Sequence, residues 1–149
     1  MDFGLAGSAV IVTGAGRGIG AAIARAFAAE GAAVALVDLG AFTEAESEAA
    51  TIRTAGGRAL ALRVDVTSFD AAERAVESAV TEFGRVDALV CNAGIVRDGV
   101  SWKMPEAAWD EVLAVNLKGS FAFCRAVARP FRAQKHGRIV MIEIGRAHV

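Results

Sequence analysis

The sequence predicts an α/β fold, a Rossmann-like doubly wound parallel sheet that is truncated after its fifth strand. Short apolar runs of strand length alternate along the chain with longer, alanine-rich stretches of helical length. The apolar runs are continuous and do not alternate with polar residues, which is typical of strands buried on both faces. Repeated strand–helix–strand units with short connections give right-handed crossovers, so helices should cover both faces of the sheet.

Five strands and four helical stretches are predicted. In chain order they are strand Ser8–Thr13, helix Gly18–Glu30, strand Ala33–Asp38, helix Thr43–Ala55, strand Arg58–Asp65, helix Asp70–Phe83, strand Val86–Cys91, a helical region from Pro105 to about Lys135, and strand Arg138–Ile142.

The predicted helix ends follow from particular residues. Glycines end the helices because they readily adopt the left-handed conformation; they are Gly31, Gly56, Gly57, Gly84 and Gly137. Thr43 and Glu46 have the spacing of a capping box, which would begin the second helix. Pro105 suits a first helical turn, whereas Pro130 should kink or shorten the long helical region.

Composition limits the classes of function. A chain of 149 residues, 54% hydrophobic and 22% charged, fits one globular domain. Its net charge of -1 gives no basic surface for nucleic acid. No apolar stretch is long enough to cross a membrane, and residues 1–4 lack the features of a secretory signal. Cys91 and Cys124 have no metal-ligand spacing, so we expect free thiols, no metal site and a cytoplasmic protein.

A glycine-rich turn directly follows the first strand and opens the first helix, at Thr13-Gly14-Ala15-Gly16-Arg17-Gly18-Ile19-Gly20. This order allows a sharp turn, close approach of the backbone to a pyrophosphate, and free N–H groups facing the anion. A glycine-rich turn alone is weak support, but its position between strand and helix strengthens it. Because no Gly-Lys-Ser/Thr sequence follows, a P-loop nucleotide hydrolase is excluded.

Asp38 ends the second predicted strand, near the distance of about 20 residues at which a Rossmann carboxylate accepts hydrogen bonds from the adenine ribose. This carboxylate should also repel a 2′-phosphate, by up to about 4 kcal/mol at an intermediate dielectric. Arg17 would attract the same phosphate. Because the carboxylate lies closer to the discriminating hydroxyl, the sequence favours NAD, with NADP as the alternative.

Together these residues resemble the short-chain dehydrogenase/reductase family. The loop has that family's Thr-Gly-x-x-x-Gly-x-Gly spacing, and four further segments in the right order resemble its motifs: Asp65-Val66, Asn92-Ala93-Gly94, Val115-Asn116-Leu117-Lys118-Gly119 and Gly137-Arg138-Ile139-Val140. Ile95–Asp98 and Trp102–Met104 also resemble the 3-oxoacyl thioester reductases of the family. Each motif residue also has an ordinary structural interpretation, such as a turn or helix-surface position, but their joint occurrence favours the family.

The resemblance implies a site and an activity. The implied cofactor-binding residues are Gly14, Arg17, Gly18, Ile19, Gly20, Asp38, Asp65, Val66, Asn92, Ala93 and Gly94. Asn116 matches the asparagine that the family counts in its catalytic tetrad. The implied reaction is hydride transfer between a nicotinamide and a secondary alcohol or ketone, a small-molecule substrate, in a parent protein that is a homo-oligomer.

The remaining catalytic residues of the family are not found. The family uses a serine after the fifth strand, then a tyrosine as general acid/base and a lysine one helical turn away. This chain contains no tyrosine, and Glu143-Ile144 stands where the serine is expected. Residues 144–149 read like the translation of a common sequencing adapter, ATC-GGA-AGA-GCA-CAC-GTC. We therefore expect an incomplete Rossmann domain over residues 1–143, a non-native tail over 144–149, and an inactive fragment that exposes apolar surface and aggregates.

Two other classes of function remain to be compared with this interpretation. A non-catalytic nucleotide-binding or interaction protein would need no tyrosine, and the sequence downstream in the source gene would distinguish it. An S-adenosylmethionine methyltransferase also uses a glycine-rich turn and an acid after the second strand, but it has no use for the motifs at residues 92–94 and 115–119.

Overall fold

The computed structural model describes residues 3–142 and contains the predicted alternation of strands and helices. The strands are β1 Ala9–Thr13, β2 Ala33–Asp38, β3 Ala59–Arg63, β4 Ala88–Cys91 and β5 Arg138–Met141. The α-helices are α1 Gly18–Ala29, α2 Phe42–Thr54, α3 Phe69–Phe83, α4 Glu106–Val112 and α5 Gly119–Gln134. A 3-10 helix covers Ser101–Lys103, and a π-helical segment, Leu113–Lys118, joins α4 to α5.

The five strands form one sheet in the order β3-β2-β1-β4-β5, and every neighbouring pair is parallel. The chain builds outward from β1 to β3 on one side, then crosses over and builds from β4 to β5 on the other. The strand order therefore reverses between β1 and β4, which is where doubly wound sheets bind their ligands, outside the carboxyl ends of the strands. The predicted fold class is confirmed.

Both faces of the sheet are covered over β1 to β4, because alternate residues of these four strands enter different cores. On one face, Ile11, Leu89 and Phe123 belong to a core closed by α3 and α5. On the other, Val12 and Leu36 pack with small residues of α1 and α2. The continuous apolar runs of β1 and β2 thus have the predicted cause, and their residues are almost entirely buried.

Several predicted helix ends differ in detail. The capping box at Thr43 and Glu46 is wrong: α2 begins at Phe42, and Ala41 precedes it without any side-chain cap. Helix α5 is not shortened by Pro130 and continues to Gln134. At its carboxyl end Lys135, at φ 55°, adopts the left-handed conformation that was predicted for Gly137. Gly137 instead allows close packing, since a Cβ there would lie 2.1 Å from Cδ2 of Phe131.

Strand β5 lies at the edge of the sheet and is exposed along its whole length. Ile139, Val140 and Met141 are 44%, 47% and 61% exposed. This agrees with the expected exposure of apolar surface at the fifth strand. Residues 144–149, for which a non-native origin is predicted, lie outside the described residues.

Candidate cofactor site

The first turn of α1 has the features of an anion site. Arg17 precedes the helix in an extended conformation, and the first turn contains no acidic residue. The N–H groups at the start of a helix have no partners within it and carry the positive end of the helix dipole. Gly18 has φ +56°, and a Cβ added there would have no atom within 4 Å. Its neighbour Ile19 is also exposed, to 55%. Gly18 thus leaves open space in front of the predicted phosphate-binding N–H groups.

Gly14 and Gly20 serve a different purpose from Gly18. A Cβ at Gly14 would lie 2.8 Å from Cα of Ala93, and one at Gly20 would lie 2.0 Å from the carbonyl oxygen of Gly14. These two glycines therefore let the loop fold against itself and against the segment after β4. Ala93 thereby lies in close contact with the loop at Gly14.

Asn92 holds the glycine-rich loop in place. Its side-chain Nδ2 donates to the carbonyl oxygens of Thr13 and Gly14 at 3.1 and 3.0 Å. In return, the buried Thr13 hydroxyl oxygen accepts from the backbone N–H groups of Asn92 and Ala93 at 3.0 and 3.1 Å. The carboxyl ends of β1 and β4 are joined by these four bonds. Asn92 lies at the predicted site, but its described contacts brace the loop.

Asp38 lies at the carboxyl end of β2, and two backbone N–H groups hold its carboxylate. Oδ2 accepts from Gly16 at 2.9 Å, and Oδ1 accepts from Ala41 at 2.9 Å. The side chain is only partly buried, so each oxygen can still accept a hydrogen bond from a ligand. Such a carboxylate, next to the start of α1, suits the hydroxyls of an adenine ribose.

The segment after β3 brings two predicted residues to the same edge of the sheet. Asp65 is exposed, and its Oδ1 accepts from the N–H and the hydroxyl of Thr67 at 2.9 and 2.7 Å. Val66 is buried against Gly119, where a Cβ would lie 2.7 Å from Cγ2 of Val66. Asp65 therefore stabilises a local turn, and this turn places Val66 beside the start of α5.

Asn116 lies in the π-helical segment and clamps the chain after the Asn-Ala-Gly motif. Its Oδ1 accepts from the N–H of Ile95 at 2.8 Å, and its Nδ2 donates to the carbonyl oxygen of Ile95 at 3.0 Å. Its own backbone carbonyl accepts from the Ser120 hydroxyl at 2.8 Å. Gly94 lies against this amide, since a Cβ added at Gly94 would be 3.4 Å from Oδ1 of Asn116. The structure thus brings Asn116 together with the segment 92–95 that follows β4.

The two cysteines are free, as predicted. Cys91 is buried at the end of β4, with its Sγ 3.9 Å from the carbonyl oxygen of Ser120, while Cys124 is partly buried. Burial, together with the neighbouring Cys124 thiol, raises the pKa of Cys91 to about 12. Cys91 is therefore a protonated core residue at neutral pH and not a nucleophile.

The sequence does not reveal the role of three residues of this site. Thr13 begins the Thr-Gly motif, and the sequence signal for its bracing role is that it is the one hydroxyl residue in the otherwise apolar β1. Gly16 occupies an open position of the Thr-Gly-x-x-x-Gly-x-Gly spacing, and Ala41 has no polar side chain. The last two act through backbone N–H groups, which leave no signal in residue type.

The arrangement fits a dinucleotide. The start of α1 offers N–H groups and the open space at Gly18 to a pyrophosphate, and the carboxylate of Asp38 lies close enough to the same loop to bond Gly16. Over residues 3–142, no group of histidine, cysteine, aspartate or glutamate side chains could hold a metal ion. No helix in that range is long and apolar enough to cross a membrane.

Comparison with known proteins agrees with this geometry. Residues 8–148 match the sequence profile of the short chain dehydrogenase family. The chain belongs to the short-chain dehydrogenase family. This family consists of oxidoreductases that use a nicotinamide cofactor, so the predicted family and fold are both confirmed.

Individual members of the short-chain dehydrogenase family give the extent of the likeness. The short-chain reductase protein NovJ of Streptomyces niveus is 52% identical over 135 residues, which cover 89% of this chain and 50% of that protein. The 3-oxoacyl-[acyl-carrier-protein] reductase FabG of Escherichia coli is 38% identical over 136 residues, covering 91% of this chain and 54% of that protein. A crystal structure of NAD+-bound xylitol dehydrogenase has a TM-score of 0.87 at 37% identity, with 92% of this chain and 53% of that chain covered. The chain thus spans about half the length of these relatives.

Proposed function

We propose that this chain binds the adenine half of NAD, and that the protein it belongs to transfers a hydride between the nicotinamide and a secondary alcohol or ketone. The observation that carries the proposal is the Asp38 carboxylate, held by Gly16 and Ala41 beside the open start of α1. Bound there, the cofactor would supply the hydride donor or acceptor. Gly14, Gly18, Ile19, Gly20, Asp65, Val66, Asn92, Ala93 and Gly94 would shape or line its site.

The preference for NAD over NADP follows from charge. A 2′-phosphate would lie against the Asp38 carboxylate, and like charges repel each other in a partly desolvated site. Arg17 is exposed within the glycine-rich loop and would attract that phosphate, so it is the residue that would favour NADP. Because two backbone bonds fix the carboxylate near the ribose position, we propose that the repulsion outweighs the attraction. The likeness to an NAD+-bound xylitol dehydrogenase supports this choice.

The chemistry proposed for this chain alone is limited to binding and positioning. Asn116 would position the reacting region by holding the backbone at Ile95. The chain contains no tyrosine, so it has no residue of the type that the family uses to move the proton. We therefore propose that these 149 residues bind cofactor without turnover. A non-catalytic nucleotide-binding protein is the second candidate, and the sequence downstream in the source gene distinguishes it from an enzyme.

The substrate and the setting are proposed from the relatives. Because FabG is named a 3-oxoacyl-[acyl-carrier-protein] reductase, a 3-oxoacyl thioester is one candidate among small-molecule ketones. We propose a cytoplasmic protein that assembles as a homo-oligomer. No nucleic-acid or membrane partner is proposed, in keeping with the net charge of -1.

The cofactor proposal is tested by calorimetric titration of the chain with NAD+ and NADP+. We expect NAD+ to bind at least about tenfold more tightly, a difference of about 1.4 kcal/mol. In Asp38→Asn, which removes the negative charge and keeps the side-chain shape, the two dissociation constants should converge. Asp98→Asn, at an exposed loop position, is the matched control and should retain the preference. Equal binding of both cofactors by the unmodified chain would contradict the NAD assignment.

The catalytic proposal is tested at the source gene. We propose that the frame continues after Ile142 into a serine, then a tyrosine and a lysine one helical turn apart, and that residues 144–149 are non-native. The family match includes the tail as far as residue 148. Amplification of the 3′ end from original DNA therefore decides whether residues 144–149 are native. A stop codon directly after the same six residues would instead favour the non-catalytic candidate.

A further inference from the structure

Gly16 is the residue of the glycine-rich loop for which the family spacing gives no role. It is one of the open positions of Thr-Gly-x-x-x-Gly-x-Gly, yet its N–H donates to Oδ2 of Asp38 at 2.9 Å. Its neighbour Ala15 donates to the carbonyl oxygen of Val37 at 3.1 Å. The loop after β1 is thus bonded to the end of β2 at two successive residues.

A side chain at Gly16 would not fit this contact. A Cβ would lie 2.1 Å from the carbonyl oxygen of Ala41 and 2.7 Å from Cβ of Ala41. The backbone of Gly16 itself is outside the left-handed region, so the conformation does not demand glycine. What demands it is the close approach of the loop to Ala41.

The other partner of the carboxylate belongs to the same contact. Ala41 donates its N–H to Oδ1 of Asp38 at 2.9 Å and is 4% exposed. Arg63 pairs with Asp38 in the register of β2 and β3, but its guanidinium lies over the Phe42 ring, 4.6 Å from the ring centroid. Two backbone N–H groups, and not a salt bridge with Arg63, therefore orient the Asp38 carboxylate.

We propose that Gly16 is a specificity-determining residue, which sets the choice between NAD and NADP by docking the glycine-rich loop onto Ala41 and so fixing the Asp38 carboxylate. This inference rests on the proposed function. A carboxylate held at both oxygens cannot turn toward solvent. The negative charge of Asp38 therefore stays beside the ribose and repels a 2′-phosphate. A side chain at position 16 separates the loop from Ala41, removes the bond from Gly16, and lets the carboxylate turn away. The affinity for NADP then rises relative to the affinity for NAD.

The test uses the 149-residue chain and two ligands that contain only the adenine half, ADP-ribose and 2′-phospho-ADP-ribose, titrated by calorimetry. The unmodified chain should prefer ADP-ribose at least about tenfold. In Gly16→Ala the ratio of the two dissociation constants should fall by about tenfold. Gly40→Ala is the matched control, because a Cβ at Gly40 meets nothing within 4 Å; its ratio should stay within about twofold of the unmodified value.

A double-mutant cycle tells positioning apart from simple packing. If Gly16 acts through Asp38, then Gly16→Ala changes the ratio by less than about twofold in the Asp38→Asn background. An equal loss of affinity for both ligands in Gly16→Ala, with the ratio unchanged, overturns the inference while the proposed function stands. No binding of either ligand to the unmodified, folded chain overturns the proposed function as well.

A second variant covers the case in which Gly16→Ala does not fold, as judged by circular dichroism. Ala41→Pro removes the other N–H donor to Asp38 without adding a side chain to the glycine-rich loop. The same fall in the ratio is expected, because the carboxylate again loses one of its two bonds. An unchanged ratio in folded Ala41→Pro would contradict the proposal.

Discussion

Thr13 connects two strands of the sheet through one buried hydroxyl. Its oxygen accepts from the N–H groups of Asn92 and Ala93, and it lies 3.5 Å from the carbonyl oxygen of Val90. Buried N–H groups that lose their acceptor are costly, since water cannot replace it. The side chain therefore matters for the shape of the site even though it is too deep to contact a ligand.

We predict that Thr13→Val lowers the free energy of unfolding by about 1–3 kcal/mol, because two N–H groups lose their acceptor while the shape of the side chain is kept. Urea unfolding measures this loss. Thr51→Val is the control: its hydroxyl donates to the carbonyl of Ser47 on an exposed helix surface, and the change should stay within about 0.5 kcal/mol. Similar losses in both variants would show that the valine side chain, and not the buried bonds, is responsible.

At the residue scale the sequence was informative where a polar side chain makes the contact. The sequence pattern predicts three such residues, Asp38, Asn92 and Asn116. All three lie at the carboxyl edge of the sheet, near the glycine-rich loop or the segment after β4. The bracing contacts of Asn92 and Asn116 could not be predicted, since they depend on which backbone groups come within 3 Å after folding. The roles of Gly16 and Ala41 were missed for the same reason.

Among the elements, the long helical region shows how a tertiary contact changes a locally predicted helix. The sequence predicts a long helical region from Pro105 to about Lys135, and the structure has α4, a π-helical segment and α5 in continuous succession. A π-helical turn is less stable than an α-helical one and is frequent at functional sites. Here it contains Asn116, whose side chain bonds Ile95. The hydrophobic pattern predicted the helix but not this change in its winding.

Gly119, the first residue of α5, allows the helix to pack on Val66. We predict that Gly119→Ala lowers the free energy of unfolding by about 1–2 kcal/mol, because the added Cβ would lie 2.7 Å from Cγ2 of Val66 and overpacking exceeds the gain in helix propensity. Val66→Ala should relieve the contact, so in urea unfolding the double variant should be less destabilised than the sum of the single variants by at least about 0.5 kcal/mol. Additive losses would contradict this explanation.

On the scale of the whole molecule, Asp87 joins three strands. Its Oδ2 accepts from the N–H of Ala9 at 2.9 Å, its backbone N–H donates to Ala9, and its carbonyl accepts from Arg138 at the start of β5. Burial by itself would raise the pKa of Asp87. The hydrogen bonds from Arg85 and Ala9, with the positive charges of Arg85 and His136, outweigh that effect and hold its pKa below the usual value.

A depressed pKa of Asp87 predicts acid sensitivity. The ionised carboxylate contributes stability that is fully present above the unfolded pKa of about 3.9 and is lost as the pH falls through the lower folded pKa. We predict that Asp87→Asn is destabilised near neutral pH and depends less on pH than the unmodified chain below about pH 4. Urea unfolding over a pH series measures both effects. Asp110→Asn, on the exposed surface of α4, should leave the pH dependence unchanged.

The exposed edge strand predicts association between chains. Within residues 3–142, β5 has a strand partner on one side only, and Ile139, Val140 and Met141 present apolar side chains to solvent. This combination favours edge-to-edge pairing. We predict that Val140→Lys lowers light scattering at high protein concentration. Val100→Lys is the matched control, since Val100 is 48% exposed in a loop and Val140 is 47% exposed in β5. An equal reduction by both would indicate net charge and not the edge as the cause.

The sequence by itself determined the order of strands and helices, the parallel sheet and the position of the glycine-rich loop. These follow from hydrophobic periodicity and from glycines whose spacing reports local backbone geometry. The tertiary structure alone decided that Gly14 and Gly20 pack inside the site while Gly18 faces open space, that Lys135 and not Gly137 adopts the left-handed conformation, and that Gly16 and Ala41 fix Asp38. The physical reason is that steric fit and backbone hydrogen bonds between distant segments depend on distances of a few ångströms, which exist only once the strands are assembled.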